Sequence, residues 1–187
     1  NVQGYKKWDA YSVWLKAFES FGYEVEPHTL RASHHGVPQN RDRVYVVGRL
    51  GKKPNLHFEI PKEIPAIGDI LEDTDEGWIP ISEAKKTDKR NFKAGREKCG
   101  RTFLSQMTTG HRGIPLHEPI RTITTQDHWK LVDGDQSRRL TVRELARAMG
   151  FPDSYKIPEL TRGQALTGIG NAICPPVMRD ILTQAMG

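Results

Sequence analysis

A chain of 187 residues can close a hydrophobic core as one large domain or two small ones without covalent staples, and with 36% hydrophobic residues and no apolar run near the roughly 20 needed to span a bilayer, a transmembrane helix is excluded. The two cysteines, Cys99 and Cys174, lie 75 positions apart without companion ligand spacing, so they build neither a disulfide framework nor a structural zinc site, and a reducing compartment is expected. The net charge of +5 is uneven: residues 84–113 hold nine basic side chains against Asp88 and Glu97, which is +7, and leave the remainder at −2.

In chain order, Tyr11, Trp14, Phe18 and Phe21 recur at helical spacing between Asp9, a possible N-cap, and Gly22, a possible C′ residue, which predicts an amphipathic helix. Residues 23–30 alternate enough for a strand and residues 43–48 form an apolar one, with a loop at residues 34–39 between them. One helix and one strand pair cannot make a doubly wound sheet, so residues 1–53 read as the tail of a larger α/β domain. Prolines, an acidic run at residues 72–76 and the basic block then occupy a middle with no clear period, read as a separate loop-rich unit. The basic block itself is open to two readings, a solvated arm or a phosphate-contacting surface. Thr141 with Glu144 is a capping-box pair that opens a short helix stopped at Gly150-Phe151-Pro152, and a last helix begins near Pro175-Pro176.

Gln39-Asn40-Arg41-Asp42-Arg43, the run from Arg138 through Glu144, and Gly168-Ile169-Gly170-Asn171-Ala172, in this order, resemble segments in the C-terminal part of DNA cytosine-5 methyltransferases. Gln39-Asn40-Arg41-Asp42-Arg43 before an apolar strand is similar to that family's Gln-x-Arg-x-Arg motif, the eighth in its usual ordering. Arg138 through Glu144, continuing to Met149-Gly150-Phe151-Pro152-Asp153, resembles the ninth, and Gly168-Ile169-Gly170-Asn171-Ala172 followed by Pro175-Pro176-Val177 the tenth. Asn1-Val2 is similar to the end of the family's Glu-Asn-Val motif. The family's methyl-donor loop, Phe-x-Gly-x-Gly, and its catalytic Pro-Cys-Gln are not in the sequence: Cys99 lies in Lys-Cys-Gly and Cys174 in Ile-Cys-Pro. The resemblance therefore implies a piece of the enzyme: the second subunit of a split protein, a truncated product or a C-terminal half.

The implied fold is α/β, the C-terminal portion of a Rossmann-like methyltransferase sheet (residues 1–53), a small, mainly β target-recognition domain (54–134), and returning helices that pack on the catalytic part (135–187). The implied chemistry is methyl transfer from S-adenosylmethionine to C5 of a cytosine in double-stranded DNA, which requires a thiolate at C6 and a base turned out of the stack. The resemblance places Gln39, Arg41 and Arg43 at the catalytic site, with Arg43 the best candidate to contact the flipped base or a nearby phosphate and Gln39 to orient the loop. Gly170, Asn171 and Ala172 are implied to complete the S-adenosylmethionine pocket, and Thr122 to contact backbone near the flipped base. The residues alone also allow Arg43 to pair with Asp42 and Asn171 to cap a helix entry.

In the basic block, Lys85, Lys86 and Lys89 are assigned to phosphates, and Arg90, Arg96, Arg101 and Arg112 are unranked candidates for guanine contacts. Arg138, Arg139, Thr141 and Glu144 are read as organisers of the recognition domain. The implied partners are duplex DNA and an N-terminal polypeptide carrying Pro-Cys-Gln, in a bacterial or phage restriction-modification setting, in the cytoplasm and without a membrane. The alternative is a stand-alone sequence-specific DNA-binding module; RNA methylation fits a sizeable recognition insert less well.

Overall fold

The computed structural model describes residue 4 and residues 7–186; the Asn1-Val2 pair lies outside the described residues. The first helix, α1, spans Ala10–Ser20. Asp9 is not its cap: the backbone there is already helical and its side chain accepts no cap bond. Gly22 does close the helix, in the left-handed region at φ +83°, with its N–H on Glu19 O at 2.9 Å. The aromatic stripe packs on itself and on the next strand, with ring centroids 4.8 Å apart for Trp14 and Phe18 and 6.3 Å for Phe18 and Tyr23, yet α1 buries no residue.

Strands β1 (Tyr23–Arg31) and β3 (Asp42–Leu50) pair antiparallel from Tyr23↔Leu50 to Arg31↔Asp42, as expected for two strands around a loop. That loop is a 3-10 turn at Ala32–His35, then the short β2 (Gln39–Asn40), which pairs in parallel with β7 (Ile120–Arg121), far along the chain. The middle is more ordered than its composition suggests. Strands β4 (Ile79–Pro80), β5 (Thr102–Gln106), β6 (Ile114–Pro115), β8 (Trp129–Asp133) and β9 (Gln136–Arg139) form an antiparallel sheet in the order β4-β9-β8-β5-β6, which runs past residue 134 through β9.

The basic block is neither an arm nor a loop over most of its length. Lys86–Cys99 is a helix, α2, whose buried face is Asp88, Asn91, Phe92 and Gly95. That spacing is helical, but only Phe92 is a large apolar residue, so no apolar period marks it. The face is held by polar bonds instead. Asp88 meets Lys130 Nζ at 3.4 Å, and Asn91 Nδ2 donates to the carbonyls of Gln106 and Thr108 at 3.1 and 2.8 Å.

Three helices finish the chain: α3 (Val142–Ala148), α4 (Arg162–Asn171) and α5 (Pro175–Met186). Thr141 and Glu144 make the expected capping box, and Thr161 with Gln164 makes a second one on the unforeseen α4. One hydrophobic cluster joins all parts, from Leu30 and Val37 through Leu104 and Ile120 to Leu145, Leu166 and Ile181. A smaller one, of Phe92, Phe103, Val132 and Ala84, lies under α2.

Gly95 sets how closely α2 approaches β5, because a Cβ there would lie 2.2 Å from Phe103 Cε2, on a fully buried ring. Alanine gains about 1 kcal/mol of helix propensity but overpacks the contact by roughly 1–3 kcal/mol, so Gly95→Ala should lower the thermal midpoint. Gly163→Ala on α4, where a Cβ meets nothing within 4 Å, should raise it by comparison. Calorimetry of the two variants checks the packing; a higher midpoint for Gly95→Ala contradicts it.

Candidate functional site

The first and third of the segments that resemble one family, together with the chain at Ile123, meet around a single side chain. Arg41, between β2 and β3 and only 5% exposed, donates from Nη1 to Ile123 O at 2.8 Å and from Nη2 to Gly170 O at 2.8 Å and Ala172 O at 3.3 Å. Burial, with Arg43 nearby, pushes its pKa below the usual value; the three carbonyls hold the charge in place. Gln39 is fully buried beside it. Its Nε2 donates to Ala148 O at 2.9 Å and lies 3.0 Å from Met149 Sδ, while its Oε1 accepts the Ile123 N–H at 2.9 Å. Both residues thus bind protein backbone.

Arg43, two positions on in β3, differs. Its Nη1 donates to Asp42 O at 2.7 Å, it is half-buried, and the Asp42 carboxylate is taken by Arg31 at 2.7 and 2.9 Å. The Arg31 hydrogen bond holds the Asp42 carboxyl below the usual range despite partial burial. The Arg43–Asp42 ion pair that the residues alone allowed does not form, and most of the Arg43 fork stays available. Thr122, directly after β7, donates from Oγ1 to Asn40 O at 3.1 Å and keeps its oxygen lone pairs.

Asn171 is the last residue of α4 and not a helix-entry cap; its amide is exposed. Gly170 serves packing, since a Cβ there would fall 2.5 Å from Thr124 C and 2.6 Å from Thr125 N. With the Gly170 and Ala172 carbonyls on Arg41, these three residues offer S-adenosylmethionine one free side chain, the Asn171 amide. That fits one wall of a donor site and not a whole cradle.

Neither thiol is set up as a nucleophile: burial raises the pKa of both Cys174 and Cys99.

Arg138, Thr141 and Glu144, expected to organise the recognition segment, belong to a second buried knot. Arg138 and Glu144, at 2% and 0% exposure, pair at 2.6 and 2.9 Å, and Glu144 also accepts the N–H groups of Thr141 and Glu72. A third knot escaped the sequence reading. Asp127 takes both Nε and Nη2 of Arg162 at 2.7 and 2.9 Å and Arg139 at 3.0 Å. Burial works against its ionisation, but the Arg162 hydrogen bond and charge outweigh that and lower its pKa. Its spacing to Arg162, 35 residues, gave no local signal.

The block's cations sort by partner. Arg96 bonds Gly134 O and Asp135, Arg101 pairs with Asp133 at 3.0 Å, and Lys89 donates to Ser82 O at 2.6 Å. Lys85 and Lys86 are exposed at the start of α2 and Arg90 within it, while Arg112 is exposed on the turn between β5 and β6. His111, beside Arg112, is 6% exposed and accepts at Nδ1 from the N–H groups of Gln106 and Gly113 at 3.1 and 3.2 Å, so the ring proton sits on Nε2. Burial, aided by Arg121 and Lys98, lowers its pKa to about 4.

The C-5 cytosine-specific DNA methylase family model matches residues 1–186. The Type II methyltransferase M.NlaX of Neisseria lactamica is 31% identical over 191 residues, covering 98% of this chain and 59% of its own length. M.MspI of Moraxella sp is 32% identical over 178 residues, at 92% and 40% coverage. Among solved structures, S. pombe Dnmt2 methyltransferase superposes with a TM-score of 0.67 at 20% identity, over 98% of this chain and 64% of that one. A putative DNA modification methyltransferase encoded within an E. coli prophage gives 0.59 at 21% identity, over 95% and 64%. These two likenesses show the α/β methyltransferase fold. The chain spans about half the length of the curated relatives it matches.

Two outcomes follow from the buried groups. Replacing Arg41 by Met leaves three carbonyls without their donor, and stability should fall by about 3 kcal/mol or more, read as a lower urea midpoint at unchanged slope. For His111, an unfolded histidine titrates near 6.5 and the folded one at about 4, so the unfolded state binds more protons between those values. The stabilisation is complete above pH 6.5 and is lost as pH falls toward 4, on the order of 3 kcal/mol. In His111→Asn, whose Oδ1 keeps an acceptor, stability should decline less over that window; parallel curves for the two proteins would refute the assignment.

Proposed function

The chain belongs to the C-5 cytosine-specific DNA methylase family, and we propose that it is the DNA-recognition and base-flipping-support portion of a cytosine-5 methyltransferase. The observation that carries this reading is the convergence on Arg41. It gathers the segments of Arg43, Thr122 and Asn171 at one junction and leaves those three side chains with free capacity toward a ligand. The matched relatives are Type II methyltransferases, in keeping with a restriction-modification role in a bacterial or phage cytoplasm.

In this reading Arg43 donates to the carbonyl or phosphate of the turned-out cytosine, a planar fork suited to an acceptor pair. Thr122 fixes the neighbouring DNA backbone. Asn171 would hold S-adenosylmethionine, which supplies the methyl group when bound. Arg41 and Gln39 are positioning residues, since all their contacts are with protein. The nucleophile that adds at C6 comes from an N-terminal polypeptide carrying Pro-Cys-Gln. Its docking is supported by the aromatic and apolar face around α1, where Trp8, Val13 and Phe21 are 61, 67 and 75% exposed, and by Leu50 at 67% at the end of β3. Residues 54–134 read the DNA sequence, with Lys85 and Lys86 on phosphates.

The chain alone should transfer no methyl group to duplex DNA, and mixing it with a Pro-Cys-Gln polypeptide of the family should restore transfer of labelled methyl. Turnover by the chain alone refutes the division of labour; duplex binding without restored transfer by any such partner favours the stand-alone binding module. In the reconstituted enzyme Arg43→Ala should lower the single-turnover rate roughly ten- to a hundredfold at saturating DNA, while duplex affinity changes little. An unchanged rate makes Arg43 structural.

A further inference from the structure

A cleft of about 790 Å³ opens between α2 and the turn that joins β5 to β6. Glu97 and Lys98 line it from α2, His111 and Arg112 from the turn, and Arg121 from β7. Arg121 is followed directly by Thr122, so the cleft adjoins the junction described above. At its floor the turn abuts α2 through glycines: Gly113 has φ +77°, and a Cβ on it would lie 2.9 Å from Gly95 Cα and 3.1 Å from the Cys99 sulfur.

The lining is chemically one-sided. Arg112 and Arg121 are exposed, and their guanidinium groups have no hydrogen-bond or ion-pair partner among the described residues, unlike those of Arg96 and Arg101. Lys98 reaches only Gly113 O, at 3.3 Å. His111 is buried behind them: with Nδ1 accepting two backbone N–H groups, Nε2 carries the proton, and this N–H is itself buried and has no acceptor. The one acceptor side chain in the lining is Glu97, which is exposed.

In the major groove guanine presents two acceptors, O6 and N7, and its partner cytosine presents a donor, N4. Adenine presents an acceptor and a donor, which Asn or Gln matches, and neither residue lines the cleft. We infer that this cleft reads a G·C pair of the recognition sequence, with Arg112 donating to guanine O6 and N7, Glu97 accepting from cytosine N4, and Arg121 on a flanking phosphate. The inference rests on the proposed DNA-recognition role and singles out Arg112 from the four arginines of the basic block as the one that reads a base.

The test is selection of bound duplexes from a randomised pool, followed by affinity measurements on the selected duplex and on single-pair substitutions. It uses the wild-type chain with its catalytic polypeptide and the variants Arg112→Ala, Arg112→Gln and Arg121→Ala, each first shown to melt as the wild type does. The wild type should select a site containing a G·C pair at which Arg112→Ala lowers discrimination roughly 5- to 150-fold, with preference at other positions kept. Arg112→Gln should shift that position toward A·T. Arg121→Ala should weaken binding to all duplexes alike and reduce the log-log salt slope by about 0.9. If Arg112→Ala binds duplex with an unchanged preference at every position, or loses affinity evenly, Arg112 is not a base reader and the inference falls while the proposed function stands. If the wild-type assembly shows no duplex binding at low salt, the recognition role itself fails and the inference with it.

Discussion

The buried guanidinium of Arg41 is the constraint on which the arrangement of the site depends. It sits without a carboxylate partner and is satisfied by main-chain carbonyls from two distant regions, at Ile123 and at Gly170 with Ala172. A cation taken out of water is stable only where every donor finds an acceptor, so the three segments must arrive together or the charge is left bare. The planar fork makes this possible, because donors on Nη1 and Nη2 diverge toward different strands of chain; a lysine ammonium at the same depth would meet one region or the other. Gly170 completes the device. With no Cβ, the C-terminal end of α4 can abut the backbone of Thr124 and Thr125 while its carbonyl turns to Arg41.

The same physical logic divides the arginines of the protein into two classes. Arg41 and Arg138 are buried, and their Nη donors go to backbone carbonyls or to a carboxylate that is itself tied to backbone N–H groups, while Arg138 Nε has no partner among the described residues. Arg162 joins them by gripping Asp127 with both prongs and Leu140 O with one. These side chains hold segments up to 131 positions apart in fixed relation. Arg43, Arg112 and Arg121 retain donors that the fold leaves unused. A protein of modest net charge can in this way present a concentrated donor surface, because the remaining positive charge is internalised or neutralised.

What the sequence disclosed and what it withheld follow from the range of the interactions. Local signals were legible: the Thr141–Glu144 capping box, the stop at Gly150 with φ +83° and the Pro175 helix start act within a few residues, and the strands on either side of residues 34–39 each carry their own pattern. Helix α2 was hidden because its buried face is Asp88, Asn91 and Gly95 around one Phe92, which leaves no apolar period to detect. Helix α4 was hidden by the glycines at positions 163, 168 and 170, which lower helix propensity and read as a loop. Around Arg41, the sequence did not disclose which motif side chains bind protein backbone and which keep free donors. Nothing local distinguishes Arg41 from Arg43; the carbonyls that separate them belong to residues 82 and more positions away.

The parallel pairing of β2 with β7 gives this division a further consequence. Gln39 lies opposite Ile120 and Asn40 opposite Arg121, and the Thr122 hydroxyl bonds Asn40 O across the same bridge. On the proposed reading, the residue that grips a phosphate beside the recognition cleft stands opposite Asn40 of β2, and the residue that meets the turned-out base, Arg43, lies three positions beyond Asn40 at the start of β3. The bridge is only two residues long and would be weak alone. It is held by Gln39, whose amide oxygen takes the Ile123 N–H and whose nitrogen is fixed on the end of α3, and by Arg41 on Ile123 O. On that reading, the distance between where a sequence is read and where a base is presented is set by buried side-chain bonds to the main chain and not by flexible surface side chains, and a site built this way holds its geometry before DNA arrives.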